Sequence, residues 1–275
     1  MNVFDEPKVD AHCHLLDPAR FPYAPEVAYR PTGQEIAPLE QYLQVMEAYG
    51  IRHALLVGPN SGYGLDNRCM LDALARGEGR FRGVAVVRND VSRDELMRLK
   101  QAGVVGVAFN ATVLGVDYYL QAVPLLRLLA DLDLFVSVQV EHEQLLALGP
   151  MLEHSGVRLV FDHCGRPQPG AGVGQPGFQA LLRLARTGRA AVKISGFQKF
   201  AQQPAPYADA QPFVRALLEA FTPDACMWAS DWPFLRSPVR LDVGPLLQQL
   251  ERLVPDAGDR RRIWWETPRR WLGLQ

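Results

Sequence analysis

Two histidines flank a cysteine in the segment VDAHCHLLD, residues 9–17, where a short apolar run ends. Side chains alternate between the two faces of a β-strand, so we expect His12 and His14 to point one way and Cys13 the other. This alternation excludes a metal site on which all three side chains converge. The two histidines form a matched pair that could serve one site.

Two further residues have the chemistry and the position to join this pair. His163 follows the apolar run RLVFD, and Asp231 follows CMWAS. Three imidazoles and a carboxylate could hold Zn²⁺ or a similar ion with an open position for water, and in that case His12, His14 and Asp231 are the expected ligands. Alternatively, the histidines donate hydrogen bonds to a substrate carbonyl while Asp231 takes a proton from water. The residue types leave both chemistries open.

Each of these residues taken alone has a structural interpretation. A single histidine at a strand end usually belongs to the core or the surface, and an aspartate before Trp-Pro can serve a turn. Glu141, His142 and Glu143 also look like a metal cluster, but their position between a strand and a helix favours helix capping instead. Four polar residues at the ends of predicted strands favour a shared site.

Short apolar runs alternate along the chain with longer stretches of helical periodicity. The predicted strands are residues 8–16, 53–59, 81–88, 104–111, 134–140, 158–165, 190–196 and 225–233. The predicted helices are residues 39–50, 67–77, 92–102, 119–131, 143–154, 178–186, 212–220, 243–253 and 256–272.

Eight strand-then-helix units within 275 residues predict an α/β fold, the (β/α)8 TIM barrel, in one domain spanning residues 1–275. A doubly wound open sheet is the alternative. Active sites of such barrels lie at the carboxyl ends of the strands and in the loops that follow them. The four candidate residues come from strands 1, 6 and 8, so the fold predicts that they meet above the barrel axis.

The composition narrows the class of partner. The chain has 29 Lys and Arg against 30 Asp and Glu, a balance that argues against a nucleic-acid partner. It has neither a long uncharged apolar stretch nor a secretory signal, so we expect no membrane association. Its four scattered cysteines are typical of reduced thiols in a cytoplasmic protein. The expected partner is a small-molecule substrate, and the oligomeric state is left open between a monomer and a homodimer.

Motifs spread over the whole chain resemble the amidohydrolase superfamily, in particular its amidohydrolase-related family 2 and the branch of pyrone-dicarboxylate and sugar lactonases. The matching segments are DAHCH (10–14), RFPYAPEVAYRP (20–31), SGYGLDNRCMLDAL (61–74), GVVGVAFN (103–110), FDHCGRP (161–167), VKISG (192–196), ASDWP (229–233) and ETPRRWLG (266–273).

The resemblance implies a distorted (β/α)8 barrel that hydrolyses an ester or a lactone. It implies that His12, His14 and His163 polarise the lactone carbonyl while Asp231 activates water, with no cofactor. Some relatives hold a divalent metal such as Zn²⁺ and supply a lysine or histidine at the end of strand 5. This chain has Gln139 there, which favours a site without metal.

The substrate is where this chain departs from the family pattern. The pyrone-dicarboxylate lactonases carry arginines in and after their strand-4 motif, whereas this chain reads GVAFNATVLGVD, with none. Because arginine pairs with a carboxylate through two hydrogen bonds that neutral groups do not replace, we expect a less anionic substrate. Arg236 or Lys199 could hold one anionic group. The candidate substrate contacts are Tyr29, Ser61, Tyr63, Asn67, Asn110 and Arg236.

Two other functions fit the same residues. One is a metal-dependent decarboxylase or hydratase of the same superfamily, and the other is a barrel that binds a metabolite without turning it over. An unused cluster of buried titratable groups would cost stability, which argues against the second.

Overall fold

The computed structural model describes residues 2–27 and 29–274, and its eight strands form one sheet in which each strand pairs in parallel with the next along the chain. Backbone hydrogen bonds close the sheet after the last strand, because the Asp231 N–H donates to the His12 carbonyl over 2.9 Å and the His14 N–H to the Trp232 carbonyl over 2.8 Å. This closed parallel sheet confirms the predicted barrel. The strands are β1 Lys8–Cys13, β2 Ile51–Val57, β3 Phe81–Ala85, β4 Val104–Asn110, β5 Phe135–Gln139, β6 Leu159–Phe161, β7 Ala190–Ile194 and β8 Cys226–Trp228.

Helices surround the sheet, and most of them lie where helical periodicity predicts them. They are α1 Leu39–Ala48, α2 Arg68–Arg76, α3 Arg93–Gln101, α4 Ala111–Leu114, α5 Val116–Leu120, α6 Val123–Asp131, α7 Gln144–His154, α8 Pro176–Leu184, α9 Gln211–Phe221, α10 Val243–Leu253, α11 Ala257–Arg261 and α12 Thr267–Leu272. Among the described residues, none of the helices is long and apolar enough to cross a bilayer.

Two predicted helices are interrupted, and a proline follows each interruption. The predicted helix 119–131 divides into α5 and α6 because Pro124 lies in the first turn of α6 and has no N–H to continue the preceding turn. The predicted helix 256–272 contains a π-helical turn, Arg262–Glu266, immediately before Pro268 in α12.

The strands β6 and β8 end earlier than predicted. His163 and Cys164 have φ of 52° and 57°, and Asp231 has φ of 62°, so the backbone leaves the extended conformation just after each strand. The predicted strands 158–165 and 225–233 were therefore too long at their carboxyl ends. The same turns carry two of the candidate catalytic side chains.

Two layers of apolar residues hold the barrel together. One layer lies between the strands and the helices. The other fills the barrel interior, where side chains from seven strands meet two leucines of the C-terminal segment. This interior layer contains Val9, Ala11, Leu55, Val57, Val84, Phe135, Val160, Ala191, Met227, Ala229, Leu272 and Leu274.

Candidate active site

The histidine pair faces the mouth of the barrel because of an irregularity in β1. Ala11 belongs to the interior layer and Cys13 to the outer layer, although strict alternation would put them on the same face. The pairing of β1 with β2 shifts register between Asp10 and Cys13, and this bulge turns His12 inward. Alternation holds over residues 12–14 as predicted, with His12 and His14 facing the cavity and Cys13 the outer layer, and the bulge before His12 decides which face the pair takes.

Hydrogen bonds on the far side of each ring set the chemistry of the two imidazoles. His14 Nδ1 lies 2.8 Å from the Val57 carbonyl oxygen, which can only accept, so Nδ1 carries the hydrogen and Nε2 a lone pair. His12 Nε2 lies 3.2 Å from the lone pair of His14 Nε2, so in this arrangement His12 Nε2 carries the hydrogen and donates it. His12 Nδ1 then faces Lys193 Nζ over 3.1 Å and Asp162 Oδ1 over 3.4 Å. Burial lowers the pKa of His14 to about 3, so its ring is neutral at pH 7.

Asp231 lies beside this pair, in the turn after β8, and its two oxygens have different surroundings. Oδ1 is 3.9 Å from Nε2 of both His12 and His14. Oδ2 is 3.0 Å from Lys199 Nζ and accepts a hydrogen bond of 3.1 Å from Gln198 Nε2. Burial alone would raise the pKa of Asp231, but Lys199 and the histidines outweigh burial and hold that pKa below its usual range. The carboxylate is therefore ionised at neutral pH.

His163 completes the arrangement from the turn after β6. Its Nε2 is 3.5 Å from Asp231 Oδ1, and its Nδ1 is 3.1 Å from Ser195 Oγ. Gly196 lies against the ring, since a Cβ on this residue would come within 2.5 Å of His163 Nδ1. Burial lowers the pKa of His163 well below its ordinary value, so this ring is neutral as well.

Below the histidines lies a buried ion pair that sequence reasoning left without a role. Lys193 Nζ is 2.7 Å from Asp162 Oδ1, and both residues are buried. Ser137 Oγ donates to the same carboxylate oxygen over 3.0 Å. Burial would raise the pKa of Asp162, but Lys193 and His12 hold it below its usual range. The signal was in the sequence, because alternation in AAVKI puts Lys193 on the inward face with Ala191.

Asp10 links the first and last strands of the barrel beneath the site. Its Oδ1 accepts hydrogen bonds from the His12 and Ser230 backbone N–H groups over 3.1 and 2.8 Å. Its Oδ2 accepts from the hydroxyls of Tyr42, over 2.8 Å, and of Ser230. Through these bonds one buried side chain positions both His12 and the turn that leads to Asp231.

A metal ion has candidate ligands here, because one ligand atom from each of His12, His163 and Asp231 lies within 4.8 Å of the others. His14 also meets the usual requirement, since its second nitrogen donates to a carbonyl. His12 Nδ1 lies 3.1 Å from Lys193 Nζ and 3.4 Å from Asp162 Oδ1, so Nε2 can bind a metal ion only when the hydrogen moves to Nδ1 and faces Asp162. The side chains as placed hold His12 in the other tautomer, in which Nε2 carries the hydrogen and does not bind a metal ion.

A cavity of about 530 Å³ opens above these groups, and this volume suits a small metabolite. Gln198, Lys199, Arg166 and Glu141 line it together with the histidines and Asp231. Half of the predicted substrate contacts also line it: Ser61, Asn110 and Arg236.

The other three predicted contacts lie outside the lining, each engaged by the protein itself. Tyr63 is buried, and its hydroxyl accepts a backbone hydrogen bond of 3.0 Å from the loop after β1. Asn67 pairs with both backbone groups of Val86, donating over 2.9 Å and accepting over 3.0 Å. The Tyr29 hydroxyl donates to Glu35. As placed, these side chains support the loops around the cavity and do not face a substrate.

The acidic residues at the end of β5 do not cap the helix that follows them, contrary to the sequence prediction. Glu141 faces the cavity, with its Oε2 3.0 Å from the Arg166 guanidinium. Glu143 is the residue before α7, but its side chain accepts from the Gly177 N–H over 2.9 Å, in the first turn of α8. Both carboxylates therefore bind groups that only the tertiary fold brings near.

Comparisons with known proteins agree with this geometry. The family model described as "Amidohydrolase" matches residues 9–274. A 4-sulfomuconolactone hydrolase of Rhizobium radiobacter is 33% identical, over 96% of this chain and 89% of that protein. A 2-pyrone-4,6-dicarboxylate hydrolase of Comamonas testosteroni is 30% identical, over 95% of this chain and 88% of that protein.

A solved structure from Acinetobacter baumannii, described as a probable 2-pyrone-4,6-dicarboxylic acid hydrolase with citric acid bound, superposes with a TM-score of 0.89. It shares 25% identity and covers 98% of this chain and 100% of its own. The resemblance that the motifs indicated is confirmed, and the chain belongs to the amidohydrolase family.

Proposed function

We propose that this protein hydrolyses a small lactone that carries one anionic group, with Asp231 as the general base. The relatives named as hydrolases of a sulfomuconolactone and of a pyrone dicarboxylate support a lactone as the substrate. The observation that carries the proposal is that the two oxygens of Asp231 have different partners. Oδ1 faces the imidazoles, and Oδ2 is held by Lys199 and Gln198.

The lactone carbonyl oxygen binds between His12 and His163. His12 Nε2 carries a hydrogen that it donates to His14 Nε2 in the free protein and to the carbonyl oxygen once the lactone binds. When Ser195 donates to His163 Nδ1, the Nε2 of that ring also carries a hydrogen. These two N–H groups stabilise the negative charge that develops on the carbonyl oxygen as the tetrahedral intermediate forms.

The attacking water lies between His14 and Asp231. His14 is neutral with a lone pair on Nε2, so it accepts a hydrogen bond from water and does not donate to the carbonyl. Asp231 takes the other proton as the water oxygen bonds to the carbonyl carbon. When the ring C–O bond breaks, the protonated Asp231 returns that proton to the leaving oxygen, and the product is a hydroxy acid.

The reaction needs no metal in this proposal. Lys193 gives His12 a donating Nε2, and Lys199 balances the charge of Asp231. Two lysines thereby supply the tautomer and the positive charge that a bound ion would otherwise provide.

Arg236 is the residue we assign to the anionic group of the substrate. Lys199 is paired with Asp231, and Arg166 with Glu141. Within residues 2–27 and 29–274, Arg236 is the one cavity-lining arginine or lysine whose side-chain nitrogens have no carboxylate oxygen within 4 Å, although its backbone N–H donates to Glu35 over 2.7 Å. Its guanidinium lies 5.6 Å from the centre of the Tyr29 ring. One unpaired guanidinium at the mouth suits one carboxylate or sulfonate.

A panel of sugar, muconate and pyrone lactones, screened with a pH indicator, tests the proposal. We expect acid release from at least one lactone with a single anionic group. Asp231→Asn should lower kcat on it by about 10²- to 10⁴-fold, the usual contribution of a general base, while the variant still folds. Asp90→Asn is the matched control, since Asp90 is exposed and pairs only with Arg88. Near-normal turnover by the Asp231 variant would remove that residue from the mechanism.

Prolonged dialysis against a chelator separates the metal-free reaction from its alternative. We expect full activity and less than a stoichiometric amount of zinc or manganese by elemental analysis. Activity that disappears on chelation and returns with Zn²⁺ would refute the metal-free mechanism. Release of CO₂ from an aromatic acid in the same assay would instead support the decarboxylase alternative.

A further inference from the structure

One wall of the cavity carries a chain of side-chain hydrogen bonds that the proposed mechanism does not use. Gln139 Nε2 donates to Thr112 Oγ1 over 3.1 Å, and the Thr112 hydroxyl donates to Asn110 Oδ1 over 2.7 Å. Asn110 Nδ2 donates in turn to Asn60 Oδ1 over 3.2 Å. All four residues line the cavity, and we refer to them as the amide chain: Asn60, Asn110, Thr112 and Gln139.

The amide chain lies across the barrel mouth from the hydrolytic groups. Asn110 ends β4 and Gln139 ends β5, whereas His12 lies on β1 and Asp231 follows β8. In a closed ring of eight strands in sequence order, β4 and β5 are opposite β8 and β1. A lactone whose carbonyl points at the histidines therefore turns its far side toward the amide chain.

This wall has polar groups but no positive charge. The cavity-lining residues that β2, β4 and β5 and the loops after them contribute include no arginine or lysine, and their one charged side chain is Glu141. Within the described ranges, Asn60 Nδ2 and Gln139 Oε1, at the two ends of the chain, have no hydrogen-bond partner in the protein. The wall therefore offers an unpaired NH2 group at the Asn60 end and an unpaired carbonyl oxygen at the Gln139 end.

We propose that the amide chain is the subsite for hydroxyl groups of the substrate, so that this enzyme prefers a hydroxylated lactone. One hydroxyl can accept from Asn60 Nδ2 and another can donate to Gln139 Oε1, since a hydroxyl does both. A carboxylate there could only accept, so it would leave Gln139 Oε1 without a donor. The inference rests on the proposed function, because it takes the position of the carbonyl from it.

The orientation within the chain explains how one residue could control this preference. Thr112 is the central member, and it accepts from Gln139 while donating to Asn110. Thr112→Val keeps the shape of the side chain but removes both hydrogen bonds, which frees the two amides to turn. The direction that each amide presents to the substrate then ceases to be fixed.

The experiment measures binding in the Asp231→Asn background, where the lactone ring persists. The probes are an aldaric acid monolactone and its deoxy analogue, which has the same ring and carboxylate but no hydroxyls. By calorimetry we expect the hydroxylated probe to bind at least about tenfold more tightly than the deoxy probe, which corresponds to about 1.4 kcal/mol. Adding Thr112→Val should reduce this ratio to below about twofold by weakening only the hydroxylated probe.

Two control variants test whether Thr112→Val acts merely by disrupting the structure. Thr112→Ser retains the hydroxyl and should restore the ratio. Leu114→Ala, at an exposed position of the same short helix, should leave both affinities unchanged. Equal affinity of the two probes, no binding of the hydroxylated probe, or an equal loss for both probes with Thr112→Val overturns the inference. Failure of the wild-type enzyme to open any lactone refutes the proposed function, and this turnover assay is distinct from the binding measurements that test the inference.

Discussion

Replacing Lys193 with methionine tests whether the buried ion pair supports both the fold and the chemistry. The ammonium lies 2.7 Å from Asp162, and both groups are excluded from solvent. Removing one partner of such a pair leaves an uncompensated buried charge, which costs about 3–5 kcal/mol. Unfolding entropy of about 2.1 cal/mol/K per residue amounts to about 0.6 kcal/mol/K for 275 residues, so we expect the melting temperature to fall by about 5–9 °C.

The double variant Lys193→Met/Asp162→Asn separates stability from catalysis. Removing both charges should recover most of the melting temperature, because no buried charge is left alone. It should not recover activity, because His12 Nδ1 has still lost the ammonium that fixes its hydrogen on Nε2. We expect kcat at least about tenfold below wild type in both variants, measured with calorimetric melting of the same samples. A melting temperature within about 2 °C of wild type for Lys193→Met would refute the energetic argument, and wild-type kcat in the double variant would refute the positioning role.

Three further substitutions test other parts of the site. Gly196→Ala puts a methyl group against the His163 ring at a φ of 66°. We expect kcat to fall and thermal melting to show a loss of about 1–3 kcal/mol in the free energy of unfolding. A variant with unchanged kcat and stability would show that the ring can move aside. Asp10→Asn removes the carboxylate oxygen Oδ2 that accepts from two buried hydroxyls. We expect the free energy of unfolding by denaturant to fall by about 2–3 kcal/mol, and an unchanged denaturation midpoint would contradict this. Arg236→Ala should raise KM for a singly charged lactone about tenfold with little change in kcat. Arg240→Ala, outside the cavity lining, is the control and should leave KM unchanged. An unchanged KM in the Arg236 variant would remove Arg236 from substrate binding.

Sequence reasoning found the barrel and the four central residues because both follow from local patterns. Apolar runs gave the strands, and His12, His14, His163 and Asp231 all stand at or just beyond predicted strand ends. The bulge that turns His12 inward carries no such signature, since no residue between positions 10 and 13 requires it. Alternation over residues 12–14 correctly grouped the two histidines apart from Cys13, but it could not show which face they take, because the rule fails between Ala11 and His12.

Side-chain partners were harder to predict, because they depend on which loops meet in space. Tyr63 and Asn67 are polar loop residues next to the mouth, yet their side chains are hydrogen-bonded to backbone groups of other segments. Lys193 was visible as a charged residue on an inward strand face, but its partner Asp162 follows β6, and the pairing of β6 with β7 brings the two within 2.7 Å. Glu141 was interpreted from its own helix, whereas the structure pairs it with Arg166 from the next loop.

The placement of the amide chain opposite the hydrolytic groups has an evolutionary consequence. The groups that would open the ring follow β1 and β6–β8, while the opposite wall is built from the ends of β2, β4 and β5. Substitutions on that wall leave every hydrogen bond of His12, His163 and Asp231 intact. A lineage of such enzymes can therefore exchange one lactone for another in small steps without passing through an inactive ancestor, and a mutant library confined to that wall should retain turnover while its substrate range diversifies.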